Sequence, residues 1–168
     1  MIATRARLAL VMLVTFLLQV TLFVDIHPFG VAPELPLLVS LHFGRVAGAE
    51  RGATAGFFMG LFYDLQHPSP FGLWALTCCV VAYFMGNLSE NLHRPTGVLA
   101  AVSTGIASTI GVAGFAFGAA ILGQPGFATP DLVRISLLVG VCNLLLSPVA
   151  GRVIRWIYGS SGALRAAT

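Results

Sequence analysis

Titratable and metal-binding side chains are few in this 168-residue chain, and their spacing limits the chemistry that they could perform. The four histidines are His27, His42, His67 and His93. No two of them have the spacing that would place two metal ligands on one helix. The three cysteines (Cys78, Cys79 and Cys142) lie inside apolar runs and match neither a zinc site nor a disulfide framework. Neither a Walker phosphate-binding motif nor the zinc-protease pattern HExxH occurs. The sequence therefore predicts no catalytic set, no metal site and no cofactor.

Asp64 is the acidic residue whose position most suggests a function. It ends a long apolar segment, and an acid in or near a membrane span is a functional candidate because burying its charge is expensive. In a second interpretation the carboxylate lies in water or caps the turn at His67 and Pro68. In a third it forms a buried pair with Arg134, which lies on the same predicted side of the membrane. The sequence leaves all three open.

Five glycines recur at every fourth residue. This glycine series consists of Gly44, Gly48, Gly52, Gly56 and Gly60. Small residues at this spacing form a groove along one helix face, which lets a second backbone approach closely. The second backbone belongs either to one of this chain's own short helices or to the membrane helix of a partner protein.

Isolated polar residues also lie inside the apolar segments. Gln19 and Thr15 are four residues apart, on one face of the first segment, and Asn143 lies in the last segment. Such groups usually form hydrogen bonds between helices inside a membrane bundle. We expect that role for them rather than a ligand pocket.

The composition is that of an integral membrane protein. Charged residues make up 9% of the chain, against about 25% in an ordinary soluble domain. Hydrophobic residues make up 57%, and the mean hydropathy is +0.91. All nine basic residues are arginines and they are scattered, whereas a nucleic-acid-binding face needs clustered basic residues. The lipid bilayer is therefore the predicted environment, and nucleic acid is not a predicted partner.

The apolar runs predict a single transmembrane domain, an all-α bundle of six spans. The spans cover residues 6–24, 35–48, 52–65, 71–88, 97–122 and 132–158. The first resembles a signal peptide, but its apolar run is longer than the about 7–15 residues of a signal core, so we expect it to be retained. Spans two and three are short for a hydrocarbon core of about 30 Å. Membrane thinning, helix breaks or burial by neighbouring helices must compensate.

The arginines predict that both termini are cytoplasmic. With six spans, eight of the nine arginines fall on the cytoplasmic side: Arg5, Arg7, Arg45, Arg51, Arg94, Arg152, Arg155 and Arg165. Only Arg134 falls outside. Merging spans two and three would move Arg94, Arg152, Arg155 and Arg165 to the outside. Basic loops prefer the cytoplasm, so six spans are favoured over five.

Residues 33–86 resemble the MreD family of bacterial rod shape-determining proteins. The chain has the pattern Pro-x-Leu at 33–35, Gly-Phe-x-x-Gly-Leu-x-x-Asp at 56–64 and Pro-x-Gly-x-x-Ala-Leu at 70–76. A Leu-Gln pair typical of the family's first span is present at 18–19. The length, the number of spans and the short loops also agree with the family.

The resemblance implies a non-enzymatic protein of the bacterial inner membrane that belongs to the cell-elongation machinery. It implies binding to the bitopic protein MreC and, through MreC, association with MreB, RodA and a class B penicillin-binding protein. It also implies a fold similar to the six-helix substrate-binding (S) component of energy-coupling-factor (ECF) transporters. Gly56, Gly60 and Asp64 match the family's shared stretch. We add Pro33, Gly72 and Gln19 as structurally important residues by our own inference.

The alternative function is a small-molecule-binding membrane component of an ECF-type transporter. Six spans with two short, broken helices are consistent with it. Such a protein needs a polar pocket, and the chain offers few residues for one: Gln19, Asn87, Asn91 and Asn143. A membrane enzyme would need converging acids, bases or metal ligands, which the sequence does not supply. The sequence leaves open whether the protein forms a homo-oligomer.

Overall fold

The described part of the chain folds into six α-helices and contains no β-strand. The computed structural model describes residues 2–21, 31–66, 69–92, 97–124, 126 and 129–158, with the backbone alone at 2–5 and 158. The helices are α1 (Ile2–Thr21), α2 (Leu35–Ala47), α3 (Ala49–Asp64), α4 (Leu73–Asn91), α5 (Gly97–Ile121) and α6 (Leu132–Tyr158). The predicted all-helical fold with six helices is confirmed.

Helix boundaries differ from the predicted spans by a few residues. Helix α1 begins at Ile2 rather than at residue 6, and its predicted end at residue 24 lies outside the described residues. Helix α3 begins at Ala49, three residues earlier than predicted, because Glu50 and Arg51 form its first turn instead of a loop. The turn at His67 and Pro68 also lies outside the described residues.

Three of the described helices are long and apolar enough to cross a membrane, namely α4, α5 and α6. Helices α1 and α2 contribute shorter apolar stretches, Ala6–Thr21 and Leu35–Ala47. A helix rises about 1.5 Å per residue, so the 13 residues of α2 extend over about 20 Å. The protein is therefore a helical membrane protein in which α2 and α3 are shorter than a full span.

Helix α2 is the central helix of the bundle. It contacts all five other helices, and eleven of its 13 residues are buried. Its neighbours enclose it, so its short length does not expose the backbone at its ends to hydrocarbon. Burial by neighbouring helices is thus how this short segment is accommodated.

Gly48 alone separates α2 from α3. Its φ of +89° lies in the left-handed region, which a residue with a side chain enters only at an energetic cost. Its N–H donates to the carbonyl of Gly44 (3.0 Å), and its carbonyl accepts from the N–H of Gly52 (2.9 Å). These bonds satisfy backbone groups at both helix ends.

Two apolar clusters fill the bundle. The larger one centres on Trp74 of α4, whose ring stacks on Phe115 of α5 with centroids 4.2 Å apart and meets Tyr63 of α3 edge-on at 5.1 Å. The smaller one joins α1, α2, α3 and α6, with Phe43 and Met59 fully enclosed. Cys78 and Cys142 are buried free thiols, as the apolar runs predict.

Candidate functional site

The glycine series lies where α2, α3 and α4 pack backbone against backbone. A Cβ atom added at Gly44 would collide with the backbone of Ala82 in α4, and one at Gly52 with the backbone of Gly44. At Gly56 the Cβ would lie 2.6 Å from the carbonyl oxygen of Cys78.

The same close approach continues at both ends of the α3–α4 pair. A Cβ at Gly60 would collide with the carbonyl of Trp74, and one at Gly86 with the backbone of Ala49. These glycines therefore contact the chain's own helices. A partner helix could reach this groove only by displacing α4.

Asp64 caps the helix that follows it in the chain. Its carboxylate is 4% exposed and accepts hydrogen bonds from three backbone N–H groups, those of Gly72 (3.1 Å), Trp74 (3.2 Å) and Ala75 (2.9 Å). These donors belong to the first turn of α4, where intrahelical acceptors are missing. A carboxylate is also favoured there by the helix dipole.

Of the three interpretations of Asp64, capping agrees best with the structure. The group that it caps, however, is the start of helix α4 and not the turn at His67 and Pro68. Arg134 is exposed on α6 and forms no described contact with the buried Asp64 carboxylate. The pair that the third interpretation requires is absent from the described contacts.

Gly72 is the residue at which the chain turns into α4. Its φ of +91° is left-handed, and a Cβ there would meet no atom within 4 Å. The reason for glycine is thus the backbone conformation and not a lack of space. Because Gly72 has no capping side chain, the cap comes from Asp64 on the preceding helix.

Gln19 and Asn143 hold the start of α2 in place. Gln19 accepts a hydrogen bond from the N–H of Leu35 (2.9 Å), and Asn143 donates to the carbonyl of Glu34 (3.3 Å) and to Ser108 (3.0 Å). Pro33, just before this point, is fully buried. Both polar residues thus bond between helices, in the role expected for isolated polar groups in membrane bundles.

Glu34 and Tyr63 form a further polar contact beside the start of α2. The Tyr63 side chain hydrogen-bonds to the Glu34 carboxyl group. The contact joins the segment before α2 to the last turn of α3, so the start of α2 is tied to α1, α3, α5 and α6 together.

Arg45 is a buried cation that sequence reasoning missed. The sequence predicts it on the cytoplasmic side, and the structure places it in the last turn of α2 with only 9% of its surface exposed. Its Nη2 donates to Ser103 (2.7 Å) and Thr104 (3.0 Å) of α5 and contacts the sulfur of Met85 (3.3 Å). Without Arg45, seven arginines remain on the side predicted to be cytoplasmic, against one on the other side.

Thr104 links Arg45 to a second buried pair. Ser147 donates to the Thr104 hydroxyl (3.4 Å), and its own oxygen lies 3.2 Å from Nε2 of His42. Five residues thus form one polar cluster between α2, α5 and α6: His42, Arg45, Ser103, Thr104 and Ser147.

The polar cluster resembles a catalytic site only in the proximity of a serine and a histidine. His42 is 3% exposed and Ser147 is 2% exposed, so neither is open to a substrate. A serine nucleophile also needs a third group that orients the histidine, and the described neighbours of His42 are arginines and hydroxyls. The cluster therefore acts as a packing network that joins three helices.

A sequence signal for this network was present. Thr104 and Ser108 are four residues apart on α5, and Asn143 and Ser147 are four apart on α6. This spacing places each pair on one helix face, and the two faces meet in the bundle.

Among the described residues, no group of three histidine, cysteine or acidic side chains could hold a metal ion.

Comparison with known proteins identifies the family. Searches of curated proteins and of solved structures each find no match. Residues 3–149 match the family model described as rod shape-determining protein MreD. That match extends well beyond the stretch of residues 33–86, covers α1 to α5 and reaches Val149 of α6. The chain therefore belongs to the MreD family of rod shape-determining proteins.

Proposed function

We propose that this protein is a non-enzymatic scaffold of the bacterial inner membrane that binds MreC and helps to organise peptidoglycan synthesis during rod-shaped growth. The family match over residues 3–149 carries the proposal. Through MreC the scaffold would be associated with MreB, RodA and a class B penicillin-binding protein. We further propose a single domain of six spans with both termini in the cytoplasm and an ECF S-component-like fold.

Helices α3 and α4 offer the surface that we assign to the membrane helix of MreC. Their exposed aromatic side chains, here called the aromatic surface, are Phe57, Phe58, Phe62, Tyr83 and Phe84. Among the described side chains of α5 and α6, the large exposed hydrophobic ones are aliphatic except for Phe117 and Trp156. Aromatic residues are enriched at protein interfaces, whereas aliphatic side chains suit contact with lipid tails.

The close packing at the glycine series holds the two helices of this surface in place. Because α3 and α4 pack backbone against backbone, their outer faces are held at a fixed separation. A preformed surface loses little conformational freedom on binding, which favours affinity. In this proposal the glycines act indirectly, by positioning the helices that carry the aromatic surface.

Affinity purification of the tagged protein from its native membrane in mild detergent tests the function. The proposal predicts recovery of MreC, with RodA or the penicillin-binding protein at lower yield. Recovery of a coupling subunit with ATPases would instead establish the transporter alternative. That alternative receives little support from the polar residues, because Gln19 and Asn143 are engaged in hydrogen bonds within the chain.

Photocrosslinking tests the binding surface. A photoreactive amino acid is placed at Phe58 or Phe84, and at Ile110 of α5 or Leu145 of α6 as matched controls that are equally exposed. The proposal predicts crosslinks to MreC from the first two positions and none from the controls. Crosslinks only from the control positions would place the interface on α5 and α6 instead.

A further inference from the structure

An apolar groove runs between α1 and α6, with α2 as its floor. Its volume is about 360 Å³, and its walls include Val11, Val14 and Leu18 of α1, Leu38 of α2, and Val149 and Val153 of α6. Its lining is almost entirely apolar, and the groove is partly open to the outside of the bundle. Its walls belong to a different pair of helices from those that carry the aromatic surface.

The length of the groove matches one leaflet of a bilayer. Its walls extend from Leu10 to Leu18 on α1 and from Leu146 to Ile154 on α6, which corresponds to about 12 Å of helix at 1.5 Å per residue. One leaflet contributes about 15 Å of the hydrocarbon core. A single lipid tail is therefore of the right length to lie in it.

A helix with its side chains is about 10–12 Å in diameter. A hydrocarbon chain is much thinner than a helix. The groove could accept such a chain without separating α1 from α6.

Positive charge lies at the end of the groove where α1 begins and α6 ends. Arg7 is on the same face of α1 as Val11 and Val14, and its guanidinium lies 4.8 Å from the ring centroid of Trp156. Arg152 is exposed one turn before Trp156 on α6. Arginine binds phosphate in a bidentate geometry, and tryptophan prefers the interface between membrane and water.

We propose that this groove is a binding site for an anionic phospholipid. One acyl chain lies between α1 and α6, and the phosphate lies at Arg7 and Arg152 beside Trp156. The inference does not depend on the role in cell shape. The positive charge at the mouth selects the anionic headgroup, and the groove supplies most of the contact area.

Native mass spectrometry of the full-length protein in detergent tests the site. The probes are phosphatidylglycerol and phosphatidylethanolamine with identical acyl chains. We expect one phosphatidylglycerol molecule to be retained at least tenfold better than phosphatidylethanolamine. In the double variant Arg7→Gln and Arg152→Gln the preference should fall below twofold, whereas Arg134→Gln should retain it. Equal retention of the two lipids by the wild type, or an unchanged preference in the double variant, would refute the proposal.

A second pair of variants tests the groove itself. Val14→Trp fills it and should reduce the retention of the lipid about fivefold, whereas Val141→Trp, exposed on α6 outside the groove, should not. Circular dichroism checks that both variants fold. A phosphatidylglycerol with a photoreactive group in its acyl chain gives an independent readout in the wild type. Labelling of groove residues supports the proposal, and labelling confined to other faces or capture of a partner helix in the groove overturns it.

Discussion

At the scale of single residues, helix α4 divides two tasks that one residue usually performs. An N-cap is commonly Asp, Ser, Thr or Asn, which both starts the helix and accepts its free N–H groups. Here Gly72 has a left-handed φ and no side chain, so it makes the turn, and Asp64 supplies the acceptor. The division matters in a membrane, where no water can satisfy those N–H groups.

Removal of the Asp64 carboxylate should destabilise the fold. We expect Asp64→Ala to cost about 2 kcal/mol, because three buried N–H groups lose their acceptor. Asp64→Asn keeps one acceptor oxygen and should cost about half as much. Glu50→Ala is the control, since Glu50 is exposed in the first turn of α3, and should cost at most about 0.5 kcal/mol. Thermal unfolding in detergent, followed by tryptophan fluorescence, measures the difference.

Substitution in the polar cluster gives a second residue-scale prediction. Thr104→Val removes the hydroxyl that contacts both Arg45 and Ser147, so we expect a loss of about 1–3 kcal/mol. The matched control is Thr54→Val, because the Thr54 hydroxyl is exposed and bonds only to Glu50 within its own helix. Equal shifts of the unfolding temperature in the two variants would show that the cluster contributes nothing to stability.

At the scale of the elements, periodicity in the sequence predicted a close helix contact but not its partner. The four-residue spacing of glycines indicates a helix face without side chains. This is a feature of one helix and does not identify the helix that packs against it. The partner, α4, carries its own small residues at Cys78, Ala82 and Gly86, which pass unnoticed among other apolar residues. The first apolar runs could likewise predict helices, but not that α2 would be enclosed by all the others.

The buried polar residues were hard to assign from sequence for a related reason. An arginine near the end of an apolar run usually marks a cytoplasmic loop, and Arg45 has that position. Its burial depends on hydroxyl groups of α5, which is distant in sequence. Asp64 stands out in the sequence because it is an isolated acid in an apolar segment. The groups that donate hydrogen bonds to it are backbone N–H groups, which leave no pattern in the sequence.

Glycine substitutions test the contact between α3 and α4. Gly56→Leu inserts a side chain against the backbone of Cys78, so α3 and α4 must separate, and we expect a loss of about 3 kcal/mol or more. Gly114→Leu is the matched control, because a Cβ at Gly114 meets no atom within 4 Å. The yield of folded protein and its unfolding temperature measure both variants. A wild-type value for Gly56→Leu would disprove the close packing.

At the scale of the whole molecule, the bundle presents two distinct surfaces around the enclosed helix α2. The aromatic surface of α3 and α4 is assigned to a membrane helix, and the groove between α1 and α6 to a lipid. A part-buried hydrogen bond joins the start of α2 to α1, and buried ones join its last two turns to α4 and α6. Such an arrangement suits the proposed scaffold, which would hold its partners in fixed positions.

The most direct test of the central claim is depletion of this protein in the bacterium that encodes it, with cell shape recorded by microscopy. If the protein maintains rod shape, depleted cells become round, and wild-type protein restores rods. Gly114→Leu should restore them as well, whereas Gly56→Leu should not. Cells that keep a normal rod shape after complete depletion would contradict the account.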